Sequence, residues 1–349
     1  MDSASLVTFV KAGEFCDELD LAGQDYSNVD LGGGLFSKCD FSGSRFNSSS
    51  LKEAVFIDCD LKGVSFAGAN LHHTVFHKCD LSDTVYTGAK LVLTKFTESH
   101  LFRANFRGCS AQMLVAVKSD LSSATFTGAK LDRSVFFEVT MAGIDLKGAH
   151  VLRFFASSVD FRPVAIEEVR FEMAVLNGCS FRGMDLRGVG LELCQLQDSD
   201  LTEANLEGAQ LRQANFKGAN LTAANFNGAN CYRCIFIEAS AEGATFRKTA
   251  LEQALFDGAN ISRADFTQAG LREASLKNVE AREATFLGTD LIYADLSNAN
   301  LEGAKLAHAN LFRAILHGIK DAGAIIPGRA VALGTDSERA NAESFTPPY

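Results

Sequence analysis

Three groupings in this chain have residue types and spacings that invite chemistry. Cys231-Tyr232-Arg233-Cys234 has the CxxC spacing of a dithiol redox centre or half a zinc site, where a thiolate needs a helix N-terminus or a neighbouring cation to form. His72, His73 and His77 place three imidazoles close together, the ligand type that zinc and copper favour. Asp20, Asp40, Asp60, Asp80, His100 and Asp120 recur every twenty residues, and a fold that stacks them makes a negative stripe able to attract a cationic partner.

The elements that position these residues follow from a period of five. Every fifth residue from Leu21 to Leu316 is apolar, sixty in succession, with twenty-eight Leu and twenty Phe. At 47% apolar composition chance does not produce such a run. Two residues before each centre the side chain is Ala, Ser, Thr, Cys, Val or Gly in fifty-four of the sixty cases. Five matches neither the 3.6 of a helix nor the 2.0 of a strand. It matches a short extended face followed by a corner.

Segments such as Ala204-Asn-Leu-Glu-Gly208, Ala219-Asn-Leu-Thr-Ala223 and Ala299-Asn-Leu-Glu-Gly303 resemble the pentapeptide-repeat family, A(D/N)LXX, from residue 19 to about 318. The resemblance implies an all-β fold, a right-handed quadrilateral parallel β-helix with four pentapeptides per coil and about fifteen coils. Residues twenty apart then stack. In the first coils Leu and Phe centres occupy different pairs of facing walls, a size alternation that fills a narrow lumen. Residues 1–18 are expected to form an N-terminal cap, with Leu6, Phe9 and Val10 on one side of a short helix. Residues 19–318 are the β-helix, and 319–349 a C-terminal cap and disordered tail, with Ile319, Ile325 and Ile326 over the last coil and disorder from Gly328. The stretch 144–184, with Pro163, is the least regular and is expected to carry a bulge or kink rather than a boundary. At Leu114/Ala116 and Phe154/Ala156 the small and large inward residues look exchanged.

The phase decides most of the candidate chemistry. Cys39, Cys59, Cys79, Cys109, Cys179, Cys194 and Cys234 fall at the small inward position, and Cys16 and Cys231 at the large one. They read as buried packing groups, so the CxxC is expected to be structural. The three histidines straddle a corner. Gly32-Gly33-Gly34 is not followed by a helical pattern and forms no phosphate loop. No catalytic constellation, cofactor or metal is expected. An odd number of cysteines and no secretory leader point to a reducing, cytoplasmic setting, and no stretch is apolar enough to span a membrane.

What remains is surface. The Asp20–Asp120 column is one candidate partner-binding stripe, although Asp and Asn also suit a corner through side-chain bonds to nearby backbone. Lys90, Lys130, His150 and Arg170 lie on the opposite wall. Phe102, Phe137, Phe155 and Phe312 fall outside the inward phase and are candidate aromatic anchors. Pentapeptide arrays are similar to parts of bacterial secretion effectors and adaptors, which implies a non-catalytic rod that docks another protein. Family members that shield type II topoisomerase (DNA gyrase) from drugs resemble a DNA duplex in width and charge, the alternative reading. Net charge is −6 over residues 1–100, −1 over 101–200 and −3 over 201–349, less uniform than a duplex mimic requires. Direct nucleic-acid binding is not expected, and an end-to-end homodimer is among the assemblies such a rod permits.

Overall fold

A computed structural model describes residues 1–344. The chain forms two compact units, Met1–Cys179 and a second from Ser180 on, both built from the same five-residue corner. In most corners the residue after the centre turns the chain, and an amide three residues on closes the turn onto the centre's carbonyl: Ala54 N–H donates to Leu51 O at 3.0 Å. The second turn residue is left-handed, as at Gly63 with φ 67°, except at Pro163, whose ring holds φ negative. Glycine takes this conformation at no steric cost, which explains its frequent recurrence two residues after a centre.

Coils stack in parallel with a register of twenty. Leu21 N–H donates to Asp40 O at 2.7 Å, and Asp40 N–H donates back to Leu19 O at 2.9 Å. In the first unit one wall is regular enough to form an eight-stranded parallel sheet, from Phe15–Asp17 through Val75–His77 and Lys95–Thr97 to Phe155–Ser157. The adjoining wall, one pentapeptide earlier in each coil, forms a five-stranded sheet from Lys90–Val92 to Arg170–Glu172. The second unit keeps the twenty-residue register through isolated bridges, Asp200 to Asn220 to Ser240 and so on to Lys320. The fold class is thus all-β, a parallel β-helix.

The lumen is lined with buried aromatic rings. In the first unit Tyr26, Phe46, Phe66, Tyr86, Phe106 and Phe126 stack in one column, with Phe106 and Phe126 centroids 4.5 Å apart and their planes nearly parallel. Phe36, Phe56, Phe76 and Phe96 stack in the column facing it. In the second unit Phe236 and Phe256 stack at 4.6 Å while Phe246 meets both edge-on. Several hydroxyls at the small position donate to a carbonyl of the preceding coil, as Thr74 does to Leu51 O at 2.8 Å, while others bond within their own corner, as Thr84 does to Leu81 O at 2.7 Å. Phe154 enters the lumen beside Phe136, ring centroids 5.0 Å apart, filling the space that Ala156 leaves. Through the irregular stretch Phe155 still stacks on Val135 and Val175 follows Phe155, so no residue is inserted there.

The ends are closed differently. Helix α1 (Ser3–Lys11) is capped by Asp2, whose carboxylate accepts from Ser5 N–H at 2.8 Å, and it buries Leu6 and Val10. The tail from Gly328, expected to be disordered, is instead folded as far as Ser344. Ile325 continues the coil register by donating to Ala304 O, and Leu333 pairs with Ile315. A short helix α2 (Ser337–Glu343), capped by Asp336, follows. The physical reason is His317, 2% exposed, which no pattern in the tail itself reveals. Its Nδ1 accepts from Asp336 N–H at 3.2 Å, so Nε2 carries the proton toward Glu343 at 3.0 Å. The remaining residues of the predicted tail, 345–349, lie outside the described residues.

Candidate functional site

The twenty-residue register places Asp20, Asp40, Asp60, Asp80, His100 and Asp120 in one column of the first unit, each bridged to the next. The corner chemistry is visible at every carboxylate: Asp40 Oδ1 accepts from Ser42 N–H at 2.8 Å, and Asp60, Asp80 and Asp120 accept from the second residue on at 2.9 Å. Asn220, Asn260 and Asn300 make the same bond in the second unit at 3.1–3.2 Å. The turn therefore needs the oxygen, not the charge. None of these five carboxylates has an ion-pair partner among the described residues, whereas Asp25 and Asp30 nearby are paired to Arg45 and Lys11. At the inter-coil spacing of ~4.8 Å, adjacent column charges repel by about 1 kcal/mol in water.

Phe102 stands beside this column, two residues after His100, and is 38% exposed. Its ring is not a loose surface group. The Arg103 guanidinium lies 5.0 Å from the ring centroid and is itself held by a two-point bond to Asp83, Nε–Oδ1 2.7 Å and Nη2–Oδ2 2.8 Å. That contact holds the Asp83 carboxyl below its ordinary range. The Asp83–Arg103–Phe102 brace was not legible as a site from sequence. Its signal is a cation one residue after an outward aromatic, with an acid twenty residues before.

The other expected anchors separate. Phe137 is 40% exposed on the outer face of the eight-stranded sheet. Phe155, expected to stand clear, is half-buried because its column neighbours Val135 and Val175 flank it. Phe312 is 48% exposed in the second unit and packs edge-on to Tyr293, centroids 6.1 Å apart, with Arg313 over its ring. Tyr293 went unnoticed in the sequence because it lies nineteen residues away, one corner position off the column.

The thiols and imidazoles take no part. All nine cysteines are free and buried, and Cys234 Sγ donates to Leu211 O. Burial pushes the Cys109 thiol up to about 12 and those of Cys16 and Cys179 to about 11, the reverse of what a nucleophilic thiolate needs. His72 and His73 rings lie 4.4 Å apart, but His77 points out from the neighbouring sheet. Among the described residues no three His, Cys or acidic side chains are placed to hold a metal ion, and no helix is long and apolar enough to cross a membrane.

Comparisons with known proteins agree with this architecture. The family model for a pentapeptide repeat region matches residues 29–106 and 209–286, and that for pentapeptide repeats (8 copies) matches residues 117–150, 166–202, 269–306 and 282–318. No curated protein matches the chain. Among solved structures, a trypsin-treated form of QnrB1, a plasmid-mediated fluoroquinolone resistance protein, is 21% identical, covers 55% of this chain and 94% of its own, and has a TM-score of 0.39. HetL from the cyanobacterium Nostoc sp. strain PCC 7120, a pentapeptide repeat protein involved in heterocyst differentiation regulation, is 20% identical, with coverage of 80% and 97% and a TM-score of 0.20. Rfr23 from the cyanobacterium Cyanothece 51142 is 22% identical, with coverage of 43% and 90% and a TM-score of 0.18. With the five-residue period, the stacked lumen and the two family models in agreement, the chain belongs to the pentapeptide-repeat proteins.

Proposed function

We propose that the protein is a non-catalytic scaffold whose first unit docks another protein along the Asp column, with Phe102 as the anchor. The observation that carries this reading is the braced ring of Phe102 set among carboxylates that have no ion partner of their own. A preorganised aromatic loses little freedom on binding, and uncompensated charge steers and orients a basic partner segment. Cytoplasmic partners of the secretion-adaptor kind suit such a mixed surface.

The stacked carboxylates also favour a second reading, protection or inhibition of a type II topoisomerase such as DNA gyrase by duplex mimicry. Against it, Lys38, Lys78 and Lys118 stand in alternate coils at the adjoining corner, so the potential along the unit changes sign where a duplex stays negative.

The experiment compares wild type with D40N/D60N/D80N and with F102A as immobilised baits, and adds each to a gyrase supercoiling assay with purified enzyme. Asn keeps the corner bond, so the triple variant should melt at or above the wild-type temperature while partner capture weakens and loses salt dependence. Identical capture by all three baits would refute the column as a docking site. An unchanged supercoiling assay with wild type would remove the topoisomerase reading.

A further inference from the structure

The outer face of the eight-stranded sheet is a second surface, separate from the Asp column and apolar along most of its length. Residues flanking each inward side chain of a strand point outward, and here they include Leu35, Val55, Ile57, Val115 and Phe137, with Phe15 and Phe155 at the two ends. Phe15 is 54% exposed and Leu35 46%. Scattered exposed apolar residues need no explanation, whereas a continuous strip marks an interface.

The corner that borders this strip carries one charge per coil, and the sign alternates: Glu18, Lys38, Asp58, Lys78, Glu98, Lys118, Glu138. All are exposed. An alternating row is complementary to its own reverse when the two are offset correctly. Let a second copy lie antiparallel on the face, with the two-fold axis between strands Val75–His77 and Lys95–Thr97. The rim then sets Lys78 against Glu98, Asp58 against Lys118 and Lys38 against Glu138 of the second copy, each pair opposite in sign.

The same operation lays Phe15 over Phe155, Leu35 over Val135 and Val55 over Val115. On the far rim it opposes Glu53 to Met113 and Gly33 to Arg133, so no like charges meet. Lys95 meets Val75 near the centre, and its four-carbon stem reaches to the rim. Sliding the second copy by one coil in either direction sets like charge on like along the whole rim, so the ladder specifies the register.

We infer that the protein forms an antiparallel, face-to-face homodimer through this sheet face, in the register set by the alternating ladder. A two-fold contact of this kind closes on itself and stops at two copies. Eight strands at ~4.8 Å give a strip about 38 Å long and roughly 10 Å wide. The two faces together then bury about 760 Å², below the size of a standard stable interface, so the dimer is weak and reversible.

Sedimentation equilibrium of the full chain over a wide concentration range tests this, with D58K, K118E and D58K/K118E as variants. Each single substitution turns two opposite-sign contacts across the two-fold axis into like-sign ones, and should weaken dimerisation by about tenfold or more. The double variant restores both contacts and should dimerise like wild type. An equimolar mixture of the two single variants should do so as well, because each supplies the charge the other lacks. Positions 58 and 118 are three coils apart, about 14 Å within one chain at ~4.8 Å per coil, so rescue reports a contact between copies. A wild-type chain that stays monomeric, a dimer indifferent to both single substitutions, or single variants that fail to rescue each other when mixed would each overturn the inference.

Discussion

Replacing Phe256 by alanine measures how the second unit is held together. Phe256 is fully buried and meets three rings: Phe236 stacked at 4.6 Å, and Phe246 and Phe266 edge-on at 6.0 and 5.8 Å. Truncating a buried Phe costs about 3–5 kcal/mol through lost transfer energy and the cavity left behind. Phe286 is equally buried but meets one ring, Phe266 at 5.1 Å. Each aromatic pair adds about 0.5–1.5 kcal/mol beyond area burial, so Phe256→Ala should exceed Phe286→Ala by about 1–3 kcal/mol. Urea unfolding of both variants and wild type, followed by circular dichroism, reads this difference if the m-value is unchanged. A loss under about 1 kcal/mol at Phe256, or equal losses at the two sites, would refute the view that stacked rings carry the coil-to-coil energy.

Native protein should react slowly with a thiol reagent at pH 8 and denatured protein at nine sites; fast labelling of Cys231 or Cys234 in the folded state would revive a redox or metal site. Because burial raises the Cys16, Cys109 and Cys179 thiols above the ordinary 9.0, the neutral form belongs to the folded state. Their stability contribution is fully present below about pH 9 and lost as pH rises toward 11–12, a decline that a Cys109→Ser variant should lessen in alkaline melts. His317→Ala should release α2, seen as lost amide protection in Ser337–Glu343 with the coils unchanged; retained protection would place the anchor elsewhere. The hydrogen bond from His317 holds the Glu343 carboxyl below its ordinary value, so that contribution is present above the ordinary glutamate range and is lost as pH falls through the lowered value.

Much of the fold was written locally. A large apolar residue every fifth position with a small one two before it, and glycine two after, describes a corner that can only repeat. Twenty residues per coil then assigns each side chain to a column. This is why the cysteines, the Phe stacks of the lumen and the Asp20–Asp120 column were all legible, and why the Leu114/Ala116 and Phe154/Ala156 exchanges could be read as one wall filling space in two ways.

The column says which residues stack but not what stands between them. Phe102 and Phe155 look alike in sequence, yet one is braced in the open by Arg103 and Asp83 while the other is half-covered by valines above and below. The pairing of Phe312 with Tyr293, the anchoring of the tail by His317 and the apolar strip beside the charge ladder all depend on side chains nineteen or more residues apart. Inward positions are dictated by a lumen that admits only certain sizes, so they can be read one corner at a time. Outward positions face water, where almost any residue is tolerated, and their meaning is decided only when neighbouring coils bring them together.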